Sequence, residues 1–390
     1  IFMENKKMLI RITTVPISLE KLLSGQLEYM SSHYNLIAVS SEKENLEKLG
    51  KKINLPVFFV NLTRQITPIK DLLALVKMYF FFKKTKPFIV HSHTPKAGTI
   101  GMLAAKLAGV PNRLHTVAGL PLLEIGGKKR KLLDFVEKLT YSCATKVYPN
   151  SLGLKDIIIE NKYCKANKLK VIGNGSSNGI DTSFFNPELY SFENNQDLKT
   201  KLGIEQIDFV FIFVGRLVKD KGINELIAAF SKLQTQHKSI KLLLVGDYET
   251  DLDPLSSETL DEITSNSSII STGFEYDVRP YFAISNALVF PTYREGFPNV
   301  VMQAGAMNLP CIVTNINGCN EIIIEGENGI IIPVKNENAI FEAMNDCILK
   351  SDTIQRMKKN ARKMIVSRYE QQVVWKAIFE EYQSFEKNNH

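Results

Sequence analysis

The densest chemistry in the chain lies in Tyr293-Arg-Glu-Gly-Phe-Pro-Asn-Val-Val-Met-Gln-Ala304. An apolar run, Ala287-Leu-Val-Phe290, reads as a buried strand before it, and Val300 to Met307 reads as a packed helix after it. Pro298 suits the first helical position, which would leave the amides of Asn299 and Val300 pointing out of the helix end toward an anion. Glu295 precedes that end, and Gln303 lies on the face that Asn299 and Val300 begin. An acid, an amide and an anion hole therefore converge, although a capped turn with a surface Glu would use the same residues. A second cluster, Gly215-Arg216-Leu-Val-Lys-Asp-Lys221-Gly222, follows the fully apolar run Phe209-Val-Phe-Ile-Phe-Val214. Arg216 offers a planar fork and Lys221 a point charge, which suits two adjacent phosphates. A salt-bridged surface turn is the plain alternative. Two such cations can stabilise a departing diphosphate without a metal ion.

These stretches resemble the signatures of retaining, GT-B-fold glycosyltransferases of family 4. That family has a Glu, seven residues and a second Glu; here the pair is Glu295 and Gln303, and an amide can still hold a diol. The family's Gly-Arg-x4-Lys-Gly motif is met in full at 215–222. The resemblance implies that Glu295 contacts the donor hexose and that Gly215, Arg216 and Lys221 hold the diphosphate. It further implies that Phe297, Asn299 and Val300 lie at the distal phosphate and that Gln303 holds the ribose. Thr272-Gly-Phe274 resembles the family's base-stacking position, which makes Phe274 a donor residue. Asn317-Gly318-Cys-Asn-Glu321 resembles its Gly-x-x-Glu turn beside the phosphates, with Gly318 approaching closely.

The first half carries the acceptor candidates. Phe88-Ile-Val-His-Ser-His93 reads as a strand entering a helix that Thr94 can cap and Pro95 can open, with Lys96 beside an end able to hold an acceptor phosphate. His93 is a candidate acid, base or hydrogen-bond donor there, or else a satisfied strand-end residue. Family members often carry a His after Thr-x in the next strand; here Ala118 follows Thr116-Val117, and His115, three residues earlier, is the nearby candidate on the acceptor side. Such a shift turns a strand side chain to the other face. The family's glycine-rich acceptor loop is represented by Gly25 alone, within Pro16 to Gln26, which otherwise reads as a plain loop.

Met8-Leu-Ile-Arg-Ile-Thr13, Leu36–Val39, Val57–Val60, Lys146–Tyr148 and Lys170–Ile172 supply further strands of a first parallel sheet, and 241–245, 311–314 and 329–332 of a second. The fold class is α/β. Two facing Rossmann-like domains (GT-B) with an interdomain cleft are expected: 1–185 for the acceptor, 186–365 for the nucleotide sugar, and 366–390 as a C-terminal helix returning to the first domain with Trp375 buried there. Glu193 to Lys201 reads as a linker, and Asn178-Gly-Ile-Asp181 resembles the family's interdomain motif. Asp251-Leu-Asp253 has metal-pair spacing but reads as a solvated loop; no metal and no cofactor beyond a nucleotide-sugar co-substrate are expected.

At 390 residues the chain accommodates two cores. Its net charge of +7 is uneven: residues 1–185 hold 28 Lys+Arg against 13 Asp+Glu, and the remainder 20 against 28. No nucleic-acid-reading motif accompanies the basic half, so an anionic membrane surface is the expected partner. Lys128-Lys-Arg-Lys131, with Lys83, Lys84 and Lys86, would contribute about 1 kcal/mol per residue there, although a solvated charged face has the same composition. No apolar run reaches the ~18 residues of a spanning helix. The first residues lack a signal-peptide core, and five cysteines without C-x-x-C spacing argue against disulfides and zinc. The cytoplasmic side of the inner membrane is the expected location.

The expected reaction is retaining transfer of a hexose or N-acetylhexosamine from a UDP-sugar to a lipid-linked glycan. The His-x-His-Thr-Pro-Lys-Ala-Gly segment is similar to bacterial surface-glycan enzymes, including undecaprenyl-diphosphate-linked N-acetylgalactosaminyltransferases. A UDP-sugar 2-epimerase of the same fold and a non-catalytic nucleotide-sugar-binding protein are the alternatives.

Overall fold

A computed structural model describes residues 6–63, 65, 67–120, 122, 126–249 and 253–387. It divides into two compact units, Ile1–Asn178 with Gln371–His390, and Gly179–Glu370. The chain thus passes between units at 178/179 and 370/371, near the 185/186 and 365/366 positions read from composition. Among the described residues no helix is long and apolar enough to cross a membrane.

The first unit is built on β1 (Met8–Ile12), β2 (Asn35–Ser40), β3 (Val57–Phe59), β4 (Ile89–Ser92), β5 (Asn112–Val117) and β6 (Lys146–Pro149), all parallel, in the order β3-β2-β1-β4-β5-β6. In the second unit β7 (Phe209–Val214), β8 (Ile240–Val245), β9 (Ile269–Gly273), β10 (Ala287–Phe290), β11 (Cys311–Thr314) and β12 (Gly329–Ile332) are also parallel, in the order β12-β11-β10-β7-β8-β9. Both sheets start in the middle and grow first to one side, then to the other. In such doubly wound sheets ligands bind beyond the carboxyl ends of the strands where the order reverses. That point lies between β1 and β4 in one unit and between β7 and β10 in the other.

Burial on both faces explains the apolar runs. Val210 to Phe213 are fully covered, flanked by Leu242 to Leu244 and by Ala287 to Val289, which leaves no polar face to alternate. Each fully buried Phe or Leu contributes about 1.5–3 kcal/mol from desolvation.

Several stretches differ from their sequence reading. The segment after β1 is not a plain loop but two short helices, Pro16–Leu22 and Gln26–Ser31, whose Leu19, Leu27 and Met30 are buried. Lys170–Ile172 forms no strand; Leu169 makes one isolated bridge to Val147 before the chain turns. Ile269–Gly273 is a strand at the sheet edge, its apolar signal cut short by Ser271 and Thr272. Phe192–Lys201 is a helix with no buried residue, capped by the Ser191 side chain, and its exposure gives it the composition of a linker. The C-terminal segment is two helices, Ser351–Tyr369 and Gln371–Lys387. The break comes where Ile180 N–H bonds the Tyr369 carbonyl at 2.8 Å and Ile180 bridges Glu370, drawing that residue into extended backbone. Gln371–Lys387 belongs to the first unit, where Trp375 is buried and donates to Asn178 Oδ1 at 2.7 Å.

Candidate functional site

In the second unit, β7 ends at Gly215-Arg216 and β10 leads into Pro291-Thr292-Tyr293-Arg294-Glu295, so the two sequence clusters meet at the reversal point of the sheet. Lys221 Nζ donates to Glu295 Oε1 at 2.5 Å, with both side chains mostly buried, and lies 3.5 Å from Thr292 Oγ1. Gly222 makes this possible: it sits at φ +71°, and a Cβ there would lie 2.3 Å from the Pro291 carbonyl oxygen. The turn that carries Lys221 is therefore pressed against the turn that carries Glu295. Asp220 strengthens the seam, its carbonyl accepting from Tyr293 N at 2.9 Å and its carboxylate from Arg294 at 2.7 Å.

The Glu295 loop is held from the other side by Asn317, whose Nδ2 donates to the carbonyls of Glu295 at 2.6 Å and Gly296 at 3.2 Å. Gly318 follows at φ +77°, where a Cβ would come within 2.6 Å of Gly296 O, and its amide is 3.4 Å from the Glu321 carboxylate. Arg216 is exposed and ion-paired with Glu249, beyond the end of β8. Asn317 and Glu249 had no role in the sequence reading. Asn317 was legible only as a neighbour of Gly318, and Glu249 only as a carboxylate just past a strand end.

The helix after Glu295 runs Asn299–Ala306, so Pro298 stands just before it rather than at its first position. Asn299 is exposed and Gln303, one turn on, half-buried on the same face. Phe297 is not available to a donor through its ring, which is buried 5.4 Å from the Tyr369 ring. Phe274 is open, with a 59 % exposed ring edge-on to Tyr276, and its backbone is fixed by Asp247, which accepts from Phe274 N at 3.0 Å. Of the Asp251–Asp253 pair, Asp251 lies outside the described residues, and Asp253 accepts from Asp220 N at 2.6 Å.

The reversal point of the first unit is organised differently. Thr94 precedes the helix Pro95–Ala108 but does not cap it with its hydroxyl; Thr94 Oγ1 instead accepts from Thr14 N at 2.9 Å and lies 2.7 Å from Thr14 Oγ1. Lys96, in the first turn of that helix, is held in a 2.6 Å ion pair with Asp71. Gly25, at φ +72°, has the Trp375 ring where a side chain would be: a Cβ there would lie 2.5 Å from Cη2, so packing alone requires this glycine. His115 is equally enclosed, its Nδ1 2.8 Å from Ser92 Oγ and its ring lying against Gly98.

His93 is part of a buried network around Arg11. The Arg11 guanidinium, fully covered, donates to His93 Nε2 at 2.9 Å, to the Tyr382 hydroxyl at 3.0 Å and to Gln26 Oε1. Tyr382, having accepted from Arg11, donates to His91 Nδ1 at 2.5 Å, which leaves His91 Nε2–H to donate to Thr116 Oγ1 at 2.8 Å. Both histidines are thereby fixed as neutral tautomers. Burial, the facing histidine and Arg11 hold His93 well below the usual imidazole range, so its resting form near neutrality is uncharged.

The same burial predicts acid sensitivity. Desolvation lowers His115 to about 4, whereas an unfolded chain protonates it near its ordinary value of about 6.5. The unfolded state then binds more protons, so stability is full above about pH 6.5 and falls as pH drops toward 4. His115 alone is expected to account for roughly 3 kcal/mol. Urea midpoints at pH 7.5 and pH 4.5 should show this loss, and His115→Gln should flatten it; equal slopes in the two proteins would refute the assignment.

Comparison with known proteins gives the family. Residues 20–151 match the family model described as glycosyl transferase 4-like, and residues 194–364 the one described as glycosyl transferases group 1. The capsular polysaccharide biosynthesis glycosyltransferase CapM of Staphylococcus aureus is 34% identical over 388 residues, 99% of each chain. The UDP-Gal:alpha-D-GlcNAc-diphosphoundecaprenol alpha-1,3-galactosyltransferase of Escherichia coli is 32% identical over 317 residues, 80% of this chain and 79% of that one. The crystal structure of Anabaena Alr3699/HepE in complex with UDP superposes with a TM-score of 0.81 at 19% identity, covering 97% of this chain and 100% of that one. The chain belongs to the group 1, 4-like glycosyltransferases and has their GT-B fold.

Proposed function

We propose that this glycosyltransferase moves a hexose or N-acetylhexosamine from a UDP-sugar to a lipid-linked glycan during bacterial surface polysaccharide synthesis, with retention at the anomeric carbon and without a metal ion or other cofactor. The observation that carries the reading is the Lys221–Glu295 pair at the reversal point of the second sheet. It sets a cation for phosphate beside a carboxylate for sugar hydroxyls. Arg216 adds a second cation, with Glu249 holding its fork until a diphosphate competes for it.

As the bond from the anomeric carbon to the diphosphate breaks, its electron pair stays on the leaving phosphate oxygen. Lys221 and Arg216 stabilise that charge. The same oxygen takes the proton from the acceptor hydroxyl, which attacks from the same face, so configuration is retained without a covalent enzyme intermediate. Glu295 orients the hexose, Gln303 bonds the ribose diol, the amides of Asn299 and Val300 meet the distal phosphate, and the open ring of Phe274 stacks on the base. Gly215 and Gly318 allow close backbone approach.

The lipid acceptor is supported by the E. coli relative, whose name specifies a diphosphoundecaprenol substrate, and by the basic first unit. The helix Pro68–Thr85 turns Ile69, Leu72, Leu73, Val76 and Phe80 to solvent, one continuous stripe interleaved with Lys70, Lys77, Lys83 and Lys84. Such a face suits peripheral binding to anionic lipid on the cytoplasmic side, with no nucleic-acid role. The test is transfer in EDTA from a panel of UDP-, GDP- and ADP-sugars to N-acetylglucosaminyl-diphosphoundecaprenol and related lipid-linked sugars, with the product anomer read by NMR. An α-linked product from an α-UDP-sugar is expected. A β-linked product, or transfer only with added divalent metal, would overturn the mechanism.

A further inference from the structure

We propose that a groove on the first unit holds the hydrocarbon chain of the lipid-linked diphosphate acceptor; the inference rests on the lipid-acceptor reading above and assigns its apolar part a site. The helix Pro95–Ala108 packs between Pro68–Thr85 and Gly127–Cys143, and the three leave a groove of about 420 Å³ between them. That is ligand-sized. Its walls are Leu72, Leu75, Ile100, Leu103, Leu133 and Val136.

The polar groups of the lining are Asp71, Lys96, Thr99 and Glu137, and the first two stand where a diphosphate belongs. Lys96 and Asp71 line the groove where the first two helices begin, next to Pro95 and just after the Thr94–Thr14 contact at the sheet's reversal point. A diphosphate there meets the start of a 14-residue helix, which favours anions, and competes with Asp71 for the Lys96 ammonium. The attached chain then has an apolar path leading away from the sheet. Burial of each methylene group along it adds affinity.

Charge selects this occupant over a second copy of the protein. Lys70, Lys77, Lys128, Lys129 and Lys131 stand exposed on the two flanking helices, so two such faces repel, whereas an anionic amphiphile is attracted. The apolar side chains exposed beside the groove, Leu73, Val76 and Phe135, continue its surface outward, as a chain emerging from a bilayer would require.

The experiment is calorimetric titration of the full chain, in buffer without vesicles or detergent, with inorganic diphosphate, geranyl diphosphate and farnesyl diphosphate. Affinity is expected to rise at least tenfold from geranyl to farnesyl and to be weakest for inorganic diphosphate. Leu133→Trp, which fills the groove while staying apolar, and Leu75→Gln, which makes it polar, should each weaken farnesyl diphosphate tenfold or more without changing inorganic diphosphate. A thermal shift on adding UDP-sugar reports that each variant is folded.

Affinity independent of chain length, or farnesyl binding unchanged in Leu133→Trp, overturns the proposal. So does a dimer that Leu133→Trp dissociates, which would give the groove to a second copy. If farnesyl diphosphate does not bind, and in a separate flotation assay phosphatidylglycerol vesicles bind wild type but not Leu133→Trp, the groove belongs to the bilayer itself and the proposal is overturned. Wild type that responds to UDP-sugar but shows no chain-length dependence removes the groove alone. Chain-length dependence with no response to any nucleotide sugar leaves the groove standing and removes the donor reading.

Discussion

Lys221→Met is expected to lower kcat for sugar transfer by about 10²–10³-fold, the effect of deleting one donor aimed at charge that develops in a transition state. KM for the nucleotide sugar should change far less, because most of the benefit arises as the diphosphate departs. The substitution removes the partner of Glu295, which lies 2.5 Å away and is mostly buried. Some loss of stability is therefore expected as well, and activity must be compared at a temperature where both proteins are folded. Lys221→Arg keeps the charge but not the reach, and it should recover part of the rate. Initial-rate kinetics of wild type and both variants with one UDP-sugar and one lipid-linked acceptor would check this. A loss confined to KM, with kcat unchanged, would show that Lys221 only binds substrate.

Arg11→Ala is expected to destabilise the first unit by about 2–5 kcal/mol, the range for truncating a large buried side chain, which leaves a cavity and unpaired acceptors. Among the described residues Arg11 has no carboxylate as a side-chain hydrogen-bond partner; His93, Tyr382 and Gln26 share its donors. Burial pushes its pKa down, and it is held by neutral acceptors. Truncation strips those acceptors and opens a cavity in β1, against the helix Gln371–Lys387 that carries Tyr382. Arg11→Met, which fills more of the space without a charge, should cost less than Arg11→Ala. Urea denaturation, together with proteolysis that reports release of the C-terminal helix, distinguishes these outcomes. A change below about 1 kcal/mol for Arg11→Ala would mean that the guanidinium is easily replaced, against the cost expected for a buried cation that makes three side-chain hydrogen bonds.

The first of these residues was legible before any coordinates and the second was not. Lys221 announces itself locally, since Gly215-Arg216 and Lys221-Gly222 follow an apolar strand within one short turn. Arg11 sits in Met8-Leu-Ile-Arg-Ile12, where a single charge in a strand reads as one exposed position on a pleated face. Its partners come from positions 26, 93 and 382, and such separations leave no periodic trace. His93 and Lys96 were found as chemistry-bearing types beside a helix start and His115 as the nearby candidate in the next strand, but type says nothing of enclosure. The ring of Trp375 over Gly25, the Gly98 contact of His115 and the Asp71 partner of Lys96 all come from elements distant in the chain.

By itself the amino-acid sequence determined the alternation of apolar strands with helices, hence two parallel sheets, and the charged motifs that lie at strand ends. These depend on local patterns: both-face burial of a strand, a glycine at a turn, charged groups at fixed spacing. The tertiary structure decided which cation meets which carboxylate, which histidines are sealed and neutral, and that the Phe297 ring packs against Tyr369. It also decided where apolar side chains are left uncovered. Leu75, Leu103 and Leu133 look like ordinary core positions in the sequence, and only the packing of three helices opens a groove between them. Periodicity shows that a face is apolar, but what covers that face depends on contacts between distant segments.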